Sequence, residues 1–419
     1  MIKIGLLGLG TVGSGVYEII NNPKNNLKRL LNKNVEISKI LVRDKNKKRN
    51  ISVPENILTE NPDDLLNDPD IDIIVEVMGG IDTAYKYIST AFKNNKHVVT
   101  ANKAVVSKYL NDFLSLANRH HKGFLFEASV AGGIPIIKPL KQNIRINQIS
   151  EIKGILNGTT NFILTKMAEE NLSFNEALAL ATELGYAEAD PTDDIEGYDV
   201  QRKLAILSSI AFHNQVAVDS IQCRGIRTLS TKDIEIFERL HLTVKLAGKA
   251  IACDDEISAS VEPILIDKNS TMATVKDAFN IVSITGDTIG NLQFYGQGAG
   301  KNPTANAVVC DIYDIISGQF KSDHFIQNDE IKCAGIDLFK GKYYIRINTE
   351  NKQKVLHLLD KNHIHYDIIS IHQELILITD LITAKSIDHL INQLQIFENN
   401  YFYARIEVND FNVSNYIAI

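Results

Sequence analysis

The first thirteen residues restrict the fold more than any other stretch. Ile2–Leu7 (IKIGLL) reads as a short buried strand, Gly8-Leu9-Gly10-Thr11-Val12-Gly13 follows directly, and SGVYEIINN then carries apolar residues at helical spacing. A lone G-x-G-x-x-G is a weak signal; strand, glycine turn and helix in that order make it a dinucleotide-binding unit. The glycines permit a tight turn and let a pyrophosphate reach the helix N-terminus, where free N–H groups and the helix dipole favour anions. Gly8, Gly10, Thr11, Val12 and Gly13 are the candidate cofactor residues, and a purely structural glycine turn is the alternative.

The next strand-like run, VEISKILV, ends in Arg43-Asp44-Lys45-Asn46-Lys47-Lys48-Arg49. A carboxylate at such a strand end grips the ribose 2′-hydroxyl of NAD, whereas an arginine accommodates the 2′-phosphate of NADP. Arg43 argues for NADP, Asp44 leaves NAD open, and a solvated basic loop is the plain reading. Three further runs, IDIIVEVMGG (71–80), HVVTANKAVV (97–106) and GFLFEASV (123–130), alternate with helical segments. Near-continuous apolar strands between helices imply a parallel sheet covered on both faces, a Rossmann-type doubly wound α/β domain. Ligands of such sheets lie beyond the C-terminal strand ends, where Gly79, Gly80, Asn102 and Lys103 fall. Lys103 is thereby expected where cofactor and substrate meet, with a solvated lysine after a strand as the plain reading. The last run continues into Ala131-Gly132-Gly133-Ile134-Pro135. Little side-chain bulk covers that turn, so its carbonyls could face a hard cation with Glu127 supplying charge; an ordinary tight turn is the alternative.

From residue 149 the character changes. EIKGILNGTTNFILTKMAEEN puts a strand, a Gly158-Thr159-Thr160 turn and a helix in series, and Ser173 with Glu176 forms a capping box for the helix ending at Gly185. Residues 184–203 (LGYAEADPTDDIEGYDVQRK) then bring six carboxylates within residues 188–199, broken by Pro191 and Gly197, and run into the apolar helix KLAILSSIAF. Asp199 precedes Lys203 by four residues, which places both on one helical face in the favourable acid-then-base order. Lys203, at the head of an apolar helix, is expected to be partly desolvated and therefore disposed to release a proton. Strand-like EISASVEPILI and IVSITGDTIGNLQFYG follow, assigned to an α+β domain whose exposed sheet suits self-association. GQGAGKNPTANAV is a second glycine turn, with Asn302 expected as a cap and Pro303 at the first helical position.

Composition removes several function classes. A formal charge of −7 with 23% charged residues gives no reason to expect nucleic acid or an anionic membrane. Cys223, Cys253, Cys310 and Cys333 are too scattered for a zinc ribbon or a disulfide framework. MIKIGLLGLG enters a strand without a charged leader, and no apolar run nears the roughly 18 residues of a membrane span, so a cytoplasmic setting is expected.

Together GLGTVGSG, VRDKNKKR, TANK, EASVAGGIPI, GILNGTTNFIL, LGYAEADPTDDIEGYDVQRK and GQGAGKNPTANAV resemble homoserine dehydrogenase, in that family's order across roughly residues 1–320. The resemblance implies NAD(P)-dependent interconversion of L-homoserine and L-aspartate 4-semialdehyde in threonine, methionine and isoleucine biosynthesis. By motif it implies that Lys203 is the proton donor and acceptor, that Asp199 and Glu188 hold the substrate ammonium, and that Lys103 touches cofactor and substrate. It adds Gly185, Glu188 and Gly300 as cofactor contacts, and Glu127 with the carbonyls of Val130, Gly132 and Ile134 as a monovalent-cation site, usually sodium. Independently, hydride transfer from an alcohol carbon requires removal of the hydroxyl proton, which a positioned lysine performs. The acidic run offers carboxylates for a zwitterion's ammonium, with Asp194 expected to orient them, while Gly158 and Thr159 offer donors for its carboxylate.

After a polar joint at residues 321–329 the tail reads strand–helix–strand–strand–helix–strand, a ferredoxin-like order that resembles an ACT domain. The family loop Asp-x-Pro-Gly-Val is here Glu350-Asn-Lys-Gln-Lys-Val355, so a dimerising or vestigial role stands beside threonine sensing. The expected division is 1–130 for the cofactor domain (completed by a helix near 303–318), 131–302 for substrate, catalysis and dimerisation, and 330–419 for the ACT-like module. No kinase-type segment precedes the first strand, so a monofunctional enzyme is expected, as a homodimer or homotetramer. Two rivals remain. A semialdehyde dehydrogenase needs a cysteine nucleophile with a histidine partner, and no cysteine here sits in a convincing turn. A cofactor-binding regulator has little use for Lys103, Asp199 and Lys203 together.

Overall fold

The computed structural model describes residues 1–254, 256–320, 326, 332–333, 335–371, 374–408 and 411. The polar joint expected at 321–329 lies almost wholly outside the described residues. The chain divides into two compact units: Met1–Gln148 with Ala205–Val218 and Phe294–Glu330, and Ile149–Leu204 with Asp219–Gln293 and Ile331–Ile419.

The first unit is built on six strands, β1 (Ile2–Leu7), β2 (Val35–Leu41), β3 (Leu58–Thr59), β4 (Ile73–Glu76), β5 (His97–Thr100) and β6 (Phe124–Leu125), in the order β3-β2-β1-β4-β5-β6. Every pairing is parallel, the arrangement that binds dinucleotides at the β1/β4 switch point. Helices α1 (Thr11–Asn21), α2 (Asp82–Lys93), α3 (Lys103–Arg119) and α4 (Ile137–Asn143) belong to it, as does Lys301–Ile316. That last helix packs on α1 because Gly15 has no side chain: a Cβ there would stand 2.8 Å from that of Ala305. Ile4, Leu6, Val16, Ile40, Val75 and Val308 form the core between sheet and helices.

Three expectations about this unit are corrected. The run at 71–80 is a strand only to Glu76, because Gly79 and Gly80 turn the chain at φ +79° and +80°. The run at 97–106 is a strand only to Thr100: Asn102 caps α3 by accepting the Val105 N–H, which makes Lys103 a helix-opening residue. At the other boundary Lys301–Ile316 is capped two residues before the expected position. Gly300 is its N-cap and Pro303 its third residue, a position whose N–H has no intrahelical acceptor in any case.

In the second unit, β7 (Ile149–Ile155), β8 (Leu242–Cys253), β9 (Glu256–Asp267), β10 (Phe279–Gly286), β11 (Lys340–Ile347), β12 (Tyr366–Ser370), β13 (Leu375–Thr379) and β14 (Tyr401–Ile406) follow the order β10-β7-β8-β9-β14-β11-β13-β12. The last four strands, with helices Lys352–Lys361 and Ala384–Leu394 between them, form the ferredoxin-like βαββαβ array. It extends the sheet through β14, which pairs in parallel with β9 at Ile264↔Arg405 and Leu265↔Ile406. Buried ion pairs reinforce that seam, with the Arg405 guanidinium 2.9 Å from Glu262 and 3.1 Å from Glu407. Strand β8 was not legible in the sequence, since Lys245 and Lys249 interrupt its apolar pattern. Lys245 is buried, donating to Asn161 Oδ1 at 2.9 Å and the Val275 carbonyl at 2.6 Å, and burial lowers its pKa to about 8. On this sheet α5 (Gly158–Glu170) packs against β8 and β10, α6 (Phe174–Glu183) packs on α5, and Val200 and Leu204 in the first half of α7 (Tyr198–Ala211) lie against Gly248 of β8. Among the described residues no helix is long and apolar enough to cross a membrane.

Candidate active site

The cofactor half lies at the C-terminal ends of β1, β2 and β4. Gly8 has φ +104°, and a Cβ on Gly13 would fall 2.2 Å from the Gly8 carbonyl, so neither position admits a side chain without moving the turn. Gly10, the N-cap of α1, meets nothing within 4 Å of where its Cβ would stand. The turn is closed toward the protein and open toward a ligand, as a pyrophosphate seat requires. It borders a cavity of about 810 Å³ whose wall includes Val42, Arg43, Asp44, Lys47, Met78 and Gly79. Arg43 and Asp44 are both exposed there. The Asp44 carboxylate accepts the Asn46 N–H at 2.8 Å, while Arg49 donates to the carbonyls of Asp44 and Lys47 and shapes the loop. Lys103 opens α3 beside Asn102, whose amide donates to the Gly80 carbonyl at 2.7 Å. Gly300 caps its helix at φ +121°.

Glu127 is 8% exposed and its carboxylate takes the first N–H groups of α4: Ile136 and Ile137 at 2.6 and 2.7 Å on Oε1, Lys138 at 2.8 Å on Oε2. Burial raises its pKa against those hydrogen bonds. In the turn that follows, Ala131 and Gly132 are left-handed (φ +55° and +48°), and the Ala131 carbonyl accepts from Ile134. Among the described residues no turn hydrogen bond ends on the carbonyls of Val130, Gly132 or Ile134, and no three His, Cys, Asp or Glu side chains converge as metal ligands.

The catalytic candidates of the second unit converge as the sequence suggests. The side chains of Lys203 and Asp199 are 10% and 6% exposed. The Lys203 ammonium donates to Asp199 Oδ2 at 2.7 Å and to the Leu156 carbonyl, at the end of β7, also at 2.7 Å. The organising residue is Asn157, which sequence reasoning missed as a site member. Its Oδ1 accepts from Thr160 N–H at 2.8 Å and so caps α5, while its amide donates to Asp199 at 2.9 Å and Asp194 at 2.7 Å. An asparagine directly before Gly-Thr-Thr is a helix N-cap signature, the one signal that could have found it. Gly158 must be glycine, because a Cβ would stand 2.8 Å from the Ala278 carbonyl. Thr159 donates to the Tyr186 carbonyl at 2.8 Å, fastening the acidic turn to α5.

The remaining acids separate by role. Burial, then the nearby Asp199 charge, raises the Asp194 carboxyl, opposed by Asn157, Thr159 and Lys203. Asp190 accepts the Thr192 N–H, Asp193 pairs with Arg202, and Glu196 pairs with Arg227 at 2.5 Å; these three shape the turn. Glu188 is exposed; among the described residues no hydrogen bond or ion pair joins it to the Asp199 cluster. Gly185 follows α6 at φ +78° with open space around it.

Known proteins resemble the chain along most of its length. Residues 8–127 match the model of the homoserine dehydrogenase NAD-binding domain, and residues 135–313 that of homoserine dehydrogenase. Homoserine dehydrogenase of Synechocystis sp. is 45% identical over 326 residues, 77% of this chain and 75% of the relative. That of Bacillus subtilis is 42% identical over 315 residues, 75% and 73%. The crystal structure of a homoserine dehydrogenase from Thiobacillus denitrificans superposes with a TM-score of 0.86 at 34% identity, covering 97% of this chain and 98% of that one. A hyperthermophilic archaeal homoserine dehydrogenase in complex with NADPH gives a TM-score of 0.64 at 25% identity, over 76% and 98%.

Proposed function

Because the chain belongs to the homoserine dehydrogenase family, an NAD(P)-dependent oxidoreductase acting on a CH–OH group that interconverts L-homoserine and L-aspartate 4-semialdehyde, we propose how its own residues divide that work. The observation that carries the assignment is the buried cluster of Lys203, Asp199, Asn157 and Asp194. One ammonium against two carboxylates leaves the cluster short of one positive charge, which the substrate ammonium supplies. Asp194 and Asp199 bind that ammonium, with Glu188 reaching it from the exposed turn. The substrate carboxylate is received by Gly158 and Thr159 at the head of α5, where free N–H groups favour an anion. The Lys203 ammonium gives a proton to the carbonyl oxygen when the aldehyde is reduced, and in the reverse direction the neutral Lys203 amine takes the hydroxyl proton of homoserine. Asp199 and the Leu156 carbonyl fix the nitrogen so that this transfer needs no search over rotamers.

The nicotinamide cofactor supplies the hydride acceptor. The glycine turn fits that group, with Gly8, Gly10, Thr11, Val12 and Gly13 at the pyrophosphate, and the family resemblance adds Arg43 at a 2′-phosphate and Lys103, Gly185, Glu188 and Gly300 as further contacts. NADP is favoured over NAD because Asp44 is occupied with its own loop while Arg43 is exposed at the cavity. Glu127 with the carbonyls of Val130, Gly132 and Ile134 is assigned to a monovalent cation, sodium in the family. The functional division is 1–130, 131–302 and 330–419, the last as an ACT-like module serving threonine sensing or assembly into a homodimer or homotetramer, in a cytoplasmic enzyme. Absorbance at 340 nm with homoserine and NADP, repeated with NAD, tests the whole reading. Lys203→Ala is expected to abolish turnover while NADPH still binds; near-normal turnover in that variant removes Lys203 from the mechanism.

A further inference from the structure

Glu76 is the last residue of β4, a strand otherwise made of Ile73, Ile74 and Val75, and it is 0% exposed. A carboxylate at that depth is held either by a counter-ion or by hydrogen-bond donors. Here it is held by donors: Thr100 Oγ1 donates to Oε2 at 2.7 Å and the Met78 N–H to Oε1 at 2.8 Å, with the Gly79 N–H and the Asn102 amide adding to them.

Those donors all belong to the ends of β4 and β5. The chain leaves Glu76 through Gly79 and Gly80, two successive left-handed residues with open space where a Cβ would stand. Glycines in tandem have the largest conformational freedom to lose, so this loop needs external anchors. Glu76 fixes its beginning through Met78 and Gly79. Asn102 fixes its end through the Gly80 carbonyl, and Thr100 takes the Asn102 N–H at 3.0 Å while giving its own proton to Glu76. Asn102 is also the cap that starts α3 at Lys103. One buried carboxylate thus ties together the glycine loop at the mouth of the cofactor cavity and the helix end that presents Lys103. An aliphatic residue would suit the sheet better; at the C-terminal end of a strand, where ligands of this fold bind, a carboxylate has another use.

We propose that Glu76 is a positioning residue that holds the Gly79–Gly80 loop and the start of α3 in the arrangement that receives the nicotinamide-ribose half of the cofactor. The proposal rests on the dinucleotide assignment of the first unit. It is tested by titrating wild type and Glu76→Gln with NADPH and with 2′,5′-ADP, a fragment that reaches only the adenosine end (NADH and ADP if wild type binds NADH more tightly). Glu76→Gln is expected to weaken NADPH at least about tenfold and to raise its KM without raising that of homoserine, with 2′,5′-ADP affinity within twofold of wild type. Unchanged NADPH affinity, or parallel weakening of both ligands, overturns the positioning role. Should that variant fail to fold, Thr100→Val removes a single donor and is expected to weaken NADPH severalfold and the fragment not at all; equal NADPH affinity overturns the proposal. Wild-type protein that binds neither dinucleotide overturns the cofactor assignment, and the role of Glu76 with it.

Discussion

Replacing Lys203 by Met separates what the lysine does for chemistry from what it does for the fold. The side chain keeps its length and loses its charge, leaving Asp199 in a site where it is only 6% exposed. Breaking a buried ion pair by removing one partner costs roughly 3–5 kcal/mol. Asn157 still donates to Asp199 at 2.9 Å, and a hydrogen bond to a charged group is worth roughly 1.5–3 kcal/mol. The net loss is therefore near the low end, about 3 kcal/mol, or roughly 6–12 °C in the melting temperature of a unit of this size. Turnover loses the proton-transfer contribution, about 10²- to 10⁴-fold. Adding Asp199→Asn removes the stranded charge, so Lys203→Met/Asp199→Asn is expected to recover most of the stability and none of the turnover. Thermal unfolding followed by circular dichroism and absorbance at 340 nm read the two effects separately. The reasoning fails if the single variant melts within about 2 °C of wild type, or if the double variant is no more stable than the single one. It fails equally if either variant turns over within tenfold of wild type.

The other expectations follow from the same structure. Asp194→Asn should raise the homoserine KM about tenfold or more and leave NADPH affinity unchanged; steady-state kinetics with both substrates varied would expose an error in the ammonium assignment. Arg43→Ala should weaken NADPH much more than NADH, by about tenfold against about twofold, and equal losses in fluorescence titrations would remove Arg43 from the 2′-phosphate site. His97 accepts the Gly123 N–H through Nδ1 at 2.9 Å, and burial, then the Lys122 charge, lowers its pKa to about 4. Its folded pKa lies below the unfolded value near 6.5, so the folded state binds fewer protons. Stability is therefore full above about pH 6.5 and falls as pH drops toward 4, by up to about 3 kcal/mol. His97→Asn, which retains an acceptor, should flatten denaturant-melt stability across that window, and an unchanged slope would assign the acid sensitivity elsewhere.

How much of this molecule is legible in its residues depends on the range over which each feature is determined. The β1–glycine turn–α1 unit, the Ser173/Glu176 capping box, the 199/203 spacing and the βαββαβ tail are local, set by steric rules and periodicities within a few residues, and all are present in the structure. Element ends were less legible. A single asparagine at 102 turns an apolar run into a helix, and a glycine at 300 opens a helix two residues before the expected cap.

What only the tertiary structure decided are the pairings between residues far apart in the chain. Asn157 joins Asp194 and Asp199, 37 and 42 residues away, and Lys203 is held by a carbonyl 47 residues back. Glu127, read as charge for a cation, is spent in good part on capping α4, and Lys245 is buried in a strand that its charge disguised. Glu76 is the sharpest case. Within IIVEVMGG it is one acid at the end of an apolar run, and nothing nearby in sequence says whether it faces water or the sheet. The reason is physical: backbone propensities, caps and turns act over one to four residues, whereas the fate of a buried charge depends on which donors folding brings within hydrogen-bond reach. The sequence by itself determined that a glycine turn after β1, an acidic turn and a lysine four residues after Asp199 exist. Only the folded chain decided which carboxylates join the buried Lys203 cluster and which pair within the acidic turn.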